Sequence, residues 1–117
     1  MKLEHVIFAG FTHAPAVELC EALKKCLPAT LERFFFSDNG STCVEAALKM
    51  AYQYWHNLEG KASRNLFLCF DGGYHGDTFG AMSAGRSHFH NKFEQLFFKS
   101  IAIPYPATFE NDHDVES

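Results

Sequence analysis

Two short apolar runs, with a long amphipathic segment between them, constrain the fold more than any other feature of the sequence. The runs LERFFF (31–36) and NLFLCF (65–70) have the length of buried strands, and a cluster of turn-forming residues follows each of them. Between the runs, an apolar stripe at helical spacing predicts a helix that follows Gly40 and Ser41 and ends near residues 57–60. This strand, helix, strand order predicts the α/β class, with parallel strands in a sheet that helices cover.

Further elements are predicted on both sides of this unit. The segment 15–27 places apolar residues on one helical face and is bounded by Pro15 and Pro28, so we predict a helix there. The segment 96–103 has the composition of a third strand. Because a parallel sheet needs cover on both faces, we predict that residues 1–117 form a single partial α/β domain. This domain would be part of a three-layer sandwich with parallel strands.

Composition and charge exclude several classes of partner. The 117 residues include 14 Asp and Glu against 10 Lys and Arg, which gives a net charge of -4. An acidic chain without a basic run offers no surface to nucleic acid, and no apolar run approaches the roughly 20 residues that span a membrane. The start of the chain does not resemble a secretory signal. We therefore expect a cytoplasmic protein whose cysteines are reduced thiols in the core.

The turn SDNGST (37–42), at the start of the long predicted helix, is typical of a phosphate-binding site. The first N–H groups of a helix lack partners within the helix and lie at the positive end of its dipole. Gly40 lets an anion approach closely, and Ser41 and Thr42 add hydroxyl donors. The same turn also suits an ordinary helix cap made by Ser or Asn, and the spacing alone does not decide between the two. Neither of the nucleotide-binding signatures GxxxxGK[ST] and GxGxxG occurs in the chain.

A second loop, GYHGDT (73–78), follows the next predicted strand and should leave the same edge of the sheet. Its Tyr74 could stack on a planar ligand, and His75 and Asp77 could orient polar groups. The alternative is a tight glycine-rich turn in which Asp77 caps a short helix.

The segment 86–99 carries no recognisable motif. His88 and His90 have the spacing of two metal ligands, but no Cys or carboxylate stands at ligand spacing, so we predict a solvated loop and no metal site. On the long predicted helix, Glu45 and Lys49 are four residues apart, which indicates an exposed ion pair.

Three segments resemble those of the class III aminotransferases, which are fold-type I enzymes that use pyridoxal 5'-phosphate. The segments are THAPAVELCEAL, FFFSDNGSTCVEAALKMAYQYW and GGYHGDTFGAMS, and they occur in the family's order. The resemblance implies that the chain is a piece of the aminotransferase large domain, which binds the cofactor. It also implies that Gly40 and Ser41 hold the cofactor phosphate. By the same resemblance, Tyr74 lies against the cofactor ring and the substrate, and Asp77 supports the same substrate pocket.

The family pattern is incomplete in this sequence. Members of the family need a lysine that forms a Schiff base with the cofactor, and an acidic partner for the ring nitrogen. The resemblance implies that both lie beyond the matched segments, and no lysine of this chain lies in such a motif. We therefore expect a fragment that is inactive by itself toward the family's small-molecule substrates, whereas full-length members are homodimers. The alternative is a stand-alone, non-catalytic phosphate-binding or interaction module.

Overall fold

The computed structural model describes residues 6–58 and 63–105 of the chain. The chain divides into two compact units, Met1–Phe36 and Ser37–Ser117. One helix lies in the described part of the first unit, and the second unit contains the other described helices and both strands.

The first unit contains helix α1, which spans Ala14–Lys24. His13 caps its N-terminus, since His13 Nδ1 accepts a hydrogen bond from the Ala16 amide at 3.3 Å. Ala16 is also the buried residue of the helix. The helix ends at Lys24 and not at the predicted Leu27, because the chain tightens into a turn after Lys24.

The predicted buried strand at 31–36 is wrong. This segment has no regular secondary structure, and Phe35 is 68% exposed. Phe36 stacks on Phe8 of the same unit, with ring centroids 5.5 Å apart. Apolar composition alone therefore does not make a strand, because a strand also needs a partner strand and the described part of the chain provides none for this segment.

Helix α2 spans Gly40–Asn57, which confirms the helix predicted between the two apolar runs. Asn39 and Thr42 form a capping box at its start. The Asn39 side chain accepts the Thr42 amide at 3.0 Å, and Thr42 Oγ1 accepts the Asn39 amide at 3.1 Å. Val44 and Leu48 of the predicted apolar stripe are half-buried. None of the helices within residues 6–58 and 63–105 is long and apolar enough to cross a membrane.

The two strands of the second unit pair in parallel, which confirms the predicted α/β class. Strand β1 spans Phe67–Phe70 and strand β2 spans Ser100–Ile103, and the first residues of the two strands are opposite each other. Helix α3, at Phe79–Gly85, and a 3-10 helix, at His88–Leu96, connect the strands. Both strands are shorter than their apolar runs, and β2 begins at Ser100, with three residues between it and the end of the 3-10 helix at Leu96.

The most buried residues lie where α3 packs against β1. Ala81, Met82 and Ser83 on α3 are buried, as is Cys69 on β1. Gly85 permits the close packing of α3, because a Cβ at this position would stand 2.8 Å from the Gly73 carbonyl oxygen. Small residues on α3 therefore bring the loop after β1 directly against the helix.

All four cysteines are free thiols, but they are not all core residues. Cys69 is buried and Cys20 is half-buried, whereas Cys26 and Cys43 are exposed. The predicted core position is therefore wrong for Cys26 and Cys43. Cys26 lies in the turn after α1, and Cys43 lies on the exposed side of α2, so apolar neighbours in the sequence do not share their surroundings.

Arg86 joins α3 to β2, although no motif marks it in the sequence. It directly follows α3 in a left-handed conformation, with a φ of 50°. Its guanidinium donates to the Ser100 carbonyl at 2.8 Å and to Ser100 Oγ at 3.1 Å. Ser100 Oγ donates in turn to the Ser83 carbonyl at 3.1 Å. These bonds fix the first residue of β2 to the end of α3.

We expect Arg86→Ala to lower the free energy of unfolding by about 2 kcal/mol, because it removes two charge-assisted hydrogen bonds and keeps the left-handed backbone. Arg86→Gly should be less destabilising by about 1 kcal/mol, since glycine adopts this conformation without strain. Urea denaturation of the two variants measures the difference. If Arg86→Ala and Arg86→Gly lower the free energy of unfolding equally, the left-handed conformation at position 86 has no energetic cost for a residue other than glycine.

Candidate functional site

At the predicted phosphate site, the N-terminus of α2 has two backbone donors without an acceptor in the described part of the chain. Asn39 accepts the amides of Thr42 and Cys43, through its side chain and its carbonyl oxygen. The amides of Gly40 and Ser41 have no acceptor among the described residues, and a Cβ on Gly40 would face open space. The ordinary helix cap made by Asn39 is therefore present, and it engages the Thr42 hydroxyl that was predicted as a donor to the phosphate. It leaves the amides of Gly40 and Ser41 without an acceptor among the described residues.

The GYHGDT loop lies directly against this helix terminus. The Asp77 amide donates a hydrogen bond to Ser41 Oγ at 3.2 Å, although the two residues are 36 positions apart. Gly76 has a φ of 120°, and a Cβ at this position would overlap Ser41 Oγ and stand 2.7 Å from Ser41 Cβ. Two motifs that were recognised separately in the sequence therefore meet at Ser41, with no room for a side chain between them.

Tyr74, Asp77 and His90 form a hydrogen-bonded chain next to this contact. The Tyr74 hydroxyl donates to Asp77 Oδ2 at 2.9 Å, and Asp77 Oδ1 lies 2.9 Å from His90 Nε2. The rings of Tyr74 and His90 stack, with centroids 5.7 Å apart. The structure therefore brings two of the predicted site residues together and adds His90 to them.

These hydrogen bonds shift the ionisation of two of the three residues. The hydrogen bond from His90, reinforced by the one from Tyr74, lowers the pKa of the Asp77 carboxyl below its ordinary value. The hydrogen bond to Asp77 raises the pKa of the Tyr74 hydroxyl above its ordinary value. At neutral pH, Asp77 is therefore a carboxylate that accepts, and Tyr74 is a protonated phenol that donates.

The prediction of a solvated loop around the two histidines is wrong for His90. His90 is buried, whereas His88 is exposed. His90 contacts Asp77, which is 13 positions away in the sequence. The polar neighbours of His90 in the sequence do not indicate this contact. Among residues 6–58 and 63–105, no group of three or more His, Cys, Asp or Glu is placed to hold a metal ion.

Glu45 links α2 to α3, and the predicted ion pair with Lys49 is wrong. Glu45 Oε1 accepts a hydrogen bond from the Gly80 amide at 2.7 Å, in the first turn of α3. A Cβ on Gly80 would stand 2.6 Å from the Glu45 carboxyl carbon, so the helices meet at a glycine. The start of α3 attracts the carboxylate because amides at a helix N-terminus lack partners within the helix.

The other residues of the loop take no visible part in the site. Thr78 is the N-cap of α3, and its side chain makes no capping hydrogen bond. The alternative in which Asp77 caps this helix is therefore wrong, because Tyr74 and His90 hold the Asp77 carboxylate. Thr78 Oγ1 is buried without a hydrogen-bond partner in the described part of the chain, and His75 is exposed.

An apolar groove on the second unit is lined in part by Glu45 and Gly80, but not by Tyr74, Asp77 or His90. It has a volume of about 940 Å³, and its lining includes Leu48 and Tyr52 of α2 together with Phe67 and Phe98. None of the predicted site residues lines it. The groove therefore marks an uncovered apolar face, whereas the chemistry lies at the N-terminus of α2.

Comparison with known proteins gives the relatives of this chain. A sequence model of the class-III aminotransferases matches residues 1–117. The adenosylmethionine-8-amino-7-oxononanoate aminotransferase of Synechococcus elongatus is 61% identical over 116 residues. The match covers 98% of this chain and 27% of that relative.

Two solved structures have a similar fold. The adenosylmethionine-8-amino-7-oxononanoate aminotransferase of Methanocaldococcus jannaschii gives a TM-score of 0.77 at 41% identity, over 86% of this chain and 24% of that one. The PLP-bound amine transaminase of an uncultivated Pseudomonas species gives 0.71 at 32% identity, over 94% of this chain and 25% of that one. The chain spans about a quarter of the length of these proteins. With a family model that matches its whole length, the chain belongs to the class III aminotransferases.

Proposed function

We propose that this chain supplies the phosphate-binding terminus and one pocket wall of a pyridoxal 5'-phosphate-dependent aminotransferase. The proposed activity is that of adenosylmethionine-8-amino-7-oxononanoate aminotransferase, which transfers an amino group to a keto acid in biotin synthesis. The observation that carries the proposal is the hydrogen bond of 3.2 Å from the Asp77 amide to Ser41 Oγ. It joins the N-terminus of α2 to the loop of Tyr74, so a ligand with a phosphate and a planar ring can contact both.

Gly40 and Ser41 suit the phosphate of the cofactor. Their amides have no acceptor within the described residues, and they lie at the positive end of an 18-residue helix. Ser41 Oγ already accepts the Asp77 amide, which leaves its hydroxyl hydrogen free to donate to an anion. When bound, pyridoxal 5'-phosphate supplies the electron sink for amino transfer.

Tyr74 and Asp77 suit the ring and the substrate side of the same pocket. Tyr74 is exposed and has one ring face against His90, so its other face is available to stack on a planar ring. Asp77 is exposed and ionised, and its carboxylate can orient a polar or cationic group of a small-molecule substrate.

We propose that the chain is a piece of the large domain and transfers no amino groups by itself. Leu68 of β1 is 67% exposed and Ile101 of β2 is 46% exposed, whereas parallel sheets are normally covered on both faces. The resemblance implies that the Schiff-base lysine and its acidic partner lie outside the matched segments. The complete pocket, the homodimer and the choice of amino donor are therefore properties of the proposed whole enzyme.

Titration with pyridoxine 5'-phosphate tests the phosphate site. This analogue has no aldehyde and therefore does not react with surface lysines. We expect it to bind the chain, and we expect pyridoxine, which lacks the phosphate, to bind at least about tenfold more weakly. Ser41→Ala should weaken binding of the analogue roughly tenfold, because a charge-assisted hydrogen bond is lost. Calorimetry measures both differences, and Ser63→Ala, at an exposed serine, is the matched control.

Two outcomes would count against the proposal. Equal affinities for pyridoxine and pyridoxine 5'-phosphate would contradict a phosphate site at the N-terminus of α2. If inorganic phosphate binds as tightly as pyridoxine 5'-phosphate, Tyr74 contributes no wall to the pocket. That second result would favour the alternative of a non-catalytic phosphate-binding module.

A further inference from the structure

His90 is the buried end of the hydrogen-bonded chain that reaches Tyr74. Its side chain is 6% exposed, whereas the Asp77 side chain is 76% exposed. An exposed carboxylate next to an exposed phenol samples several rotamers in water unless another group holds it. Asp77 Oδ1 lies 2.9 Å from His90 Nε2, so His90 anchors the exposed pair to the interior of the second unit.

The backbone around His90 holds the imidazole in place without any ligand. The His90 amide donates to the Ser87 carbonyl at 3.0 Å, and Ser87 Oγ accepts the Phe89 amide at 3.4 Å. Phe93, on the same 3-10 helix, meets Phe79 of α3 edge to face, with centroids 6.4 Å apart. The imidazole is therefore part of the packed framework on which the exposed residues depend.

The surroundings of the His90 ring favour one tautomer. The Asp77 carboxylate can only accept, so Nε2 carries a hydrogen and donates it. Nδ1 is buried and has no hydrogen-bond partner among the described residues. A hydrogen on Nδ1 would be a buried donor without an acceptor, which is unfavourable. The neutral ring with its hydrogen on Nε2 satisfies both positions.

We propose that His90 is a positioning residue of this site. Its Nε2–H group holds the Asp77 carboxylate, and Asp77 holds the Tyr74 phenol in the orientation that receives a planar phosphorylated ligand at the N-terminus of α2. His90 also covers one face of the Tyr74 ring and leaves the other for the ligand. Within residues 6–58 and 63–105, no Lys or Arg forms an ion pair with Asp77. The inference rests on the proposed function for the identity of the ligand.

NMR of the full 117-residue chain tests this role before any ligand is added. We expect long-range ¹H–¹⁵N spectra to show a hydrogen on His90 Nε2 and none on Nδ1. A ¹³C-detected titration should give a pKa of the Asp77 carboxyl below its ordinary value. His90→Phe keeps a ring but removes the donor, so the Asp77 pKa should rise toward its ordinary value, while the hydrogen bond from Tyr74 still lowers it.

Two further variants separate the hydrogen bond from general packing. His90→Gln carries a terminal amide that can donate from a similar position, so it should preserve most of the lowered Asp77 pKa. His88→Phe makes the same change at the exposed histidine of the same 3-10 helix. It should leave the lowered pKa of Asp77 unchanged.

Ligand titrations then connect the positioning to the site. His90→Phe should weaken pyridoxine 5'-phosphate binding roughly fivefold, because Tyr74 must then be ordered when the ligand binds. Binding of inorganic phosphate should not change, because phosphate alone contacts α2 and not Tyr74. His90→Gln should recover most of the affinity for pyridoxine 5'-phosphate.

The outcomes distinguish this inference from the proposed function. An ordinary Asp77 pKa in the unsubstituted chain, or an unchanged lowered pKa in His90→Phe, would overturn the positioning role of His90. An equal loss of inorganic phosphate binding in His90→Phe would overturn it as well. If the Asp77 pKa responds as expected but the unsubstituted chain binds no pyridoxine 5'-phosphate, the proposed function fails and the link from His90 to Tyr74 is supported.

Discussion

Gly76→Ala should lower the free energy of unfolding by roughly 4 kcal/mol, as the sum of two penalties. The first is the backbone: a φ of 120° at this position is one that L side chains rarely adopt, and strain of this kind costs about 1–3 kcal/mol. The second is the overlap of the new Cβ with Ser41, since forcing an extra methyl group into packed space costs about 1–3 kcal/mol. Urea denaturation, followed by circular dichroism, measures the loss.

Gly72→Ala is the matched control for this substitution. Gly72 also has a positive φ, of 71°, but a Cβ there meets nothing within 4 Å. Gly72→Ala should therefore lower the free energy of unfolding only by the cost of the left-handed conformation, which is about 1–2 kcal/mol. Adding Ser41→Gly to Gly76→Ala should recover part of the stability, because Ser41 Oγ and Cβ are then absent. Equal losses for Gly76→Ala and Gly72→Ala would contradict the close contact between the loop and Ser41.

The features that the sequence predicts correctly have local determinants. The start of α2 depends on Asn39 and Thr42, which are three positions apart and cap each other. The GYHGDT loop follows β1 directly, so its place at the carboxyl end of that strand follows from chain order alone. The short apolar run between turn residues also identifies β1 correctly, although the same signal fails at 31–36.

The features that the sequence misses depend on contacts between distant segments. Glu45 lies four positions from Lys49, which is a strong local signal, yet its partner is the Gly80 amide 35 positions away. His90 lies among polar neighbours that indicate solvent, and only its contact with Asp77 explains its burial. The segment 31–36 is an apolar run like β1, but a strand also requires a partner strand, which composition does not supply. The spacing of residues within one element cannot reveal such partners.

Gly40→Asp should weaken pyridoxine 5'-phosphate binding at least about 100-fold while leaving the fold intact. Gly40 is the first residue of α2, and a side chain there meets open space. A carboxylate in the first turn of a helix interacts favourably with the dipole, so the free energy of unfolding should stay unchanged or rise by about 0.3–1 kcal/mol. The same carboxylate would stand where the phosphate is proposed to bind. At roughly 5 Å and an effective dielectric constant of about 20, each pair of like charges repels by about 3 kcal/mol, which corresponds to roughly two orders of magnitude in affinity.

Gly40→Asn separates charge from bulk in this experiment. Asn has nearly the same shape as Asp and also suits the start of a helix, but it carries no charge. We expect Gly40→Asn to retain binding within about tenfold of the unsubstituted chain, since it adds bulk next to the phosphate without repulsion. Calorimetric titration of both variants, with urea denaturation as the check on folding, measures the contrast. If Asp and Asn at position 40 have the same effect, the anion does not bind at this helix terminus. A charge at position 40 weakens binding only if the phosphate of the ligand lies against the amides of Gly40 and Ser41. Without such an effect, these two amides would be ordinary donors to solvent.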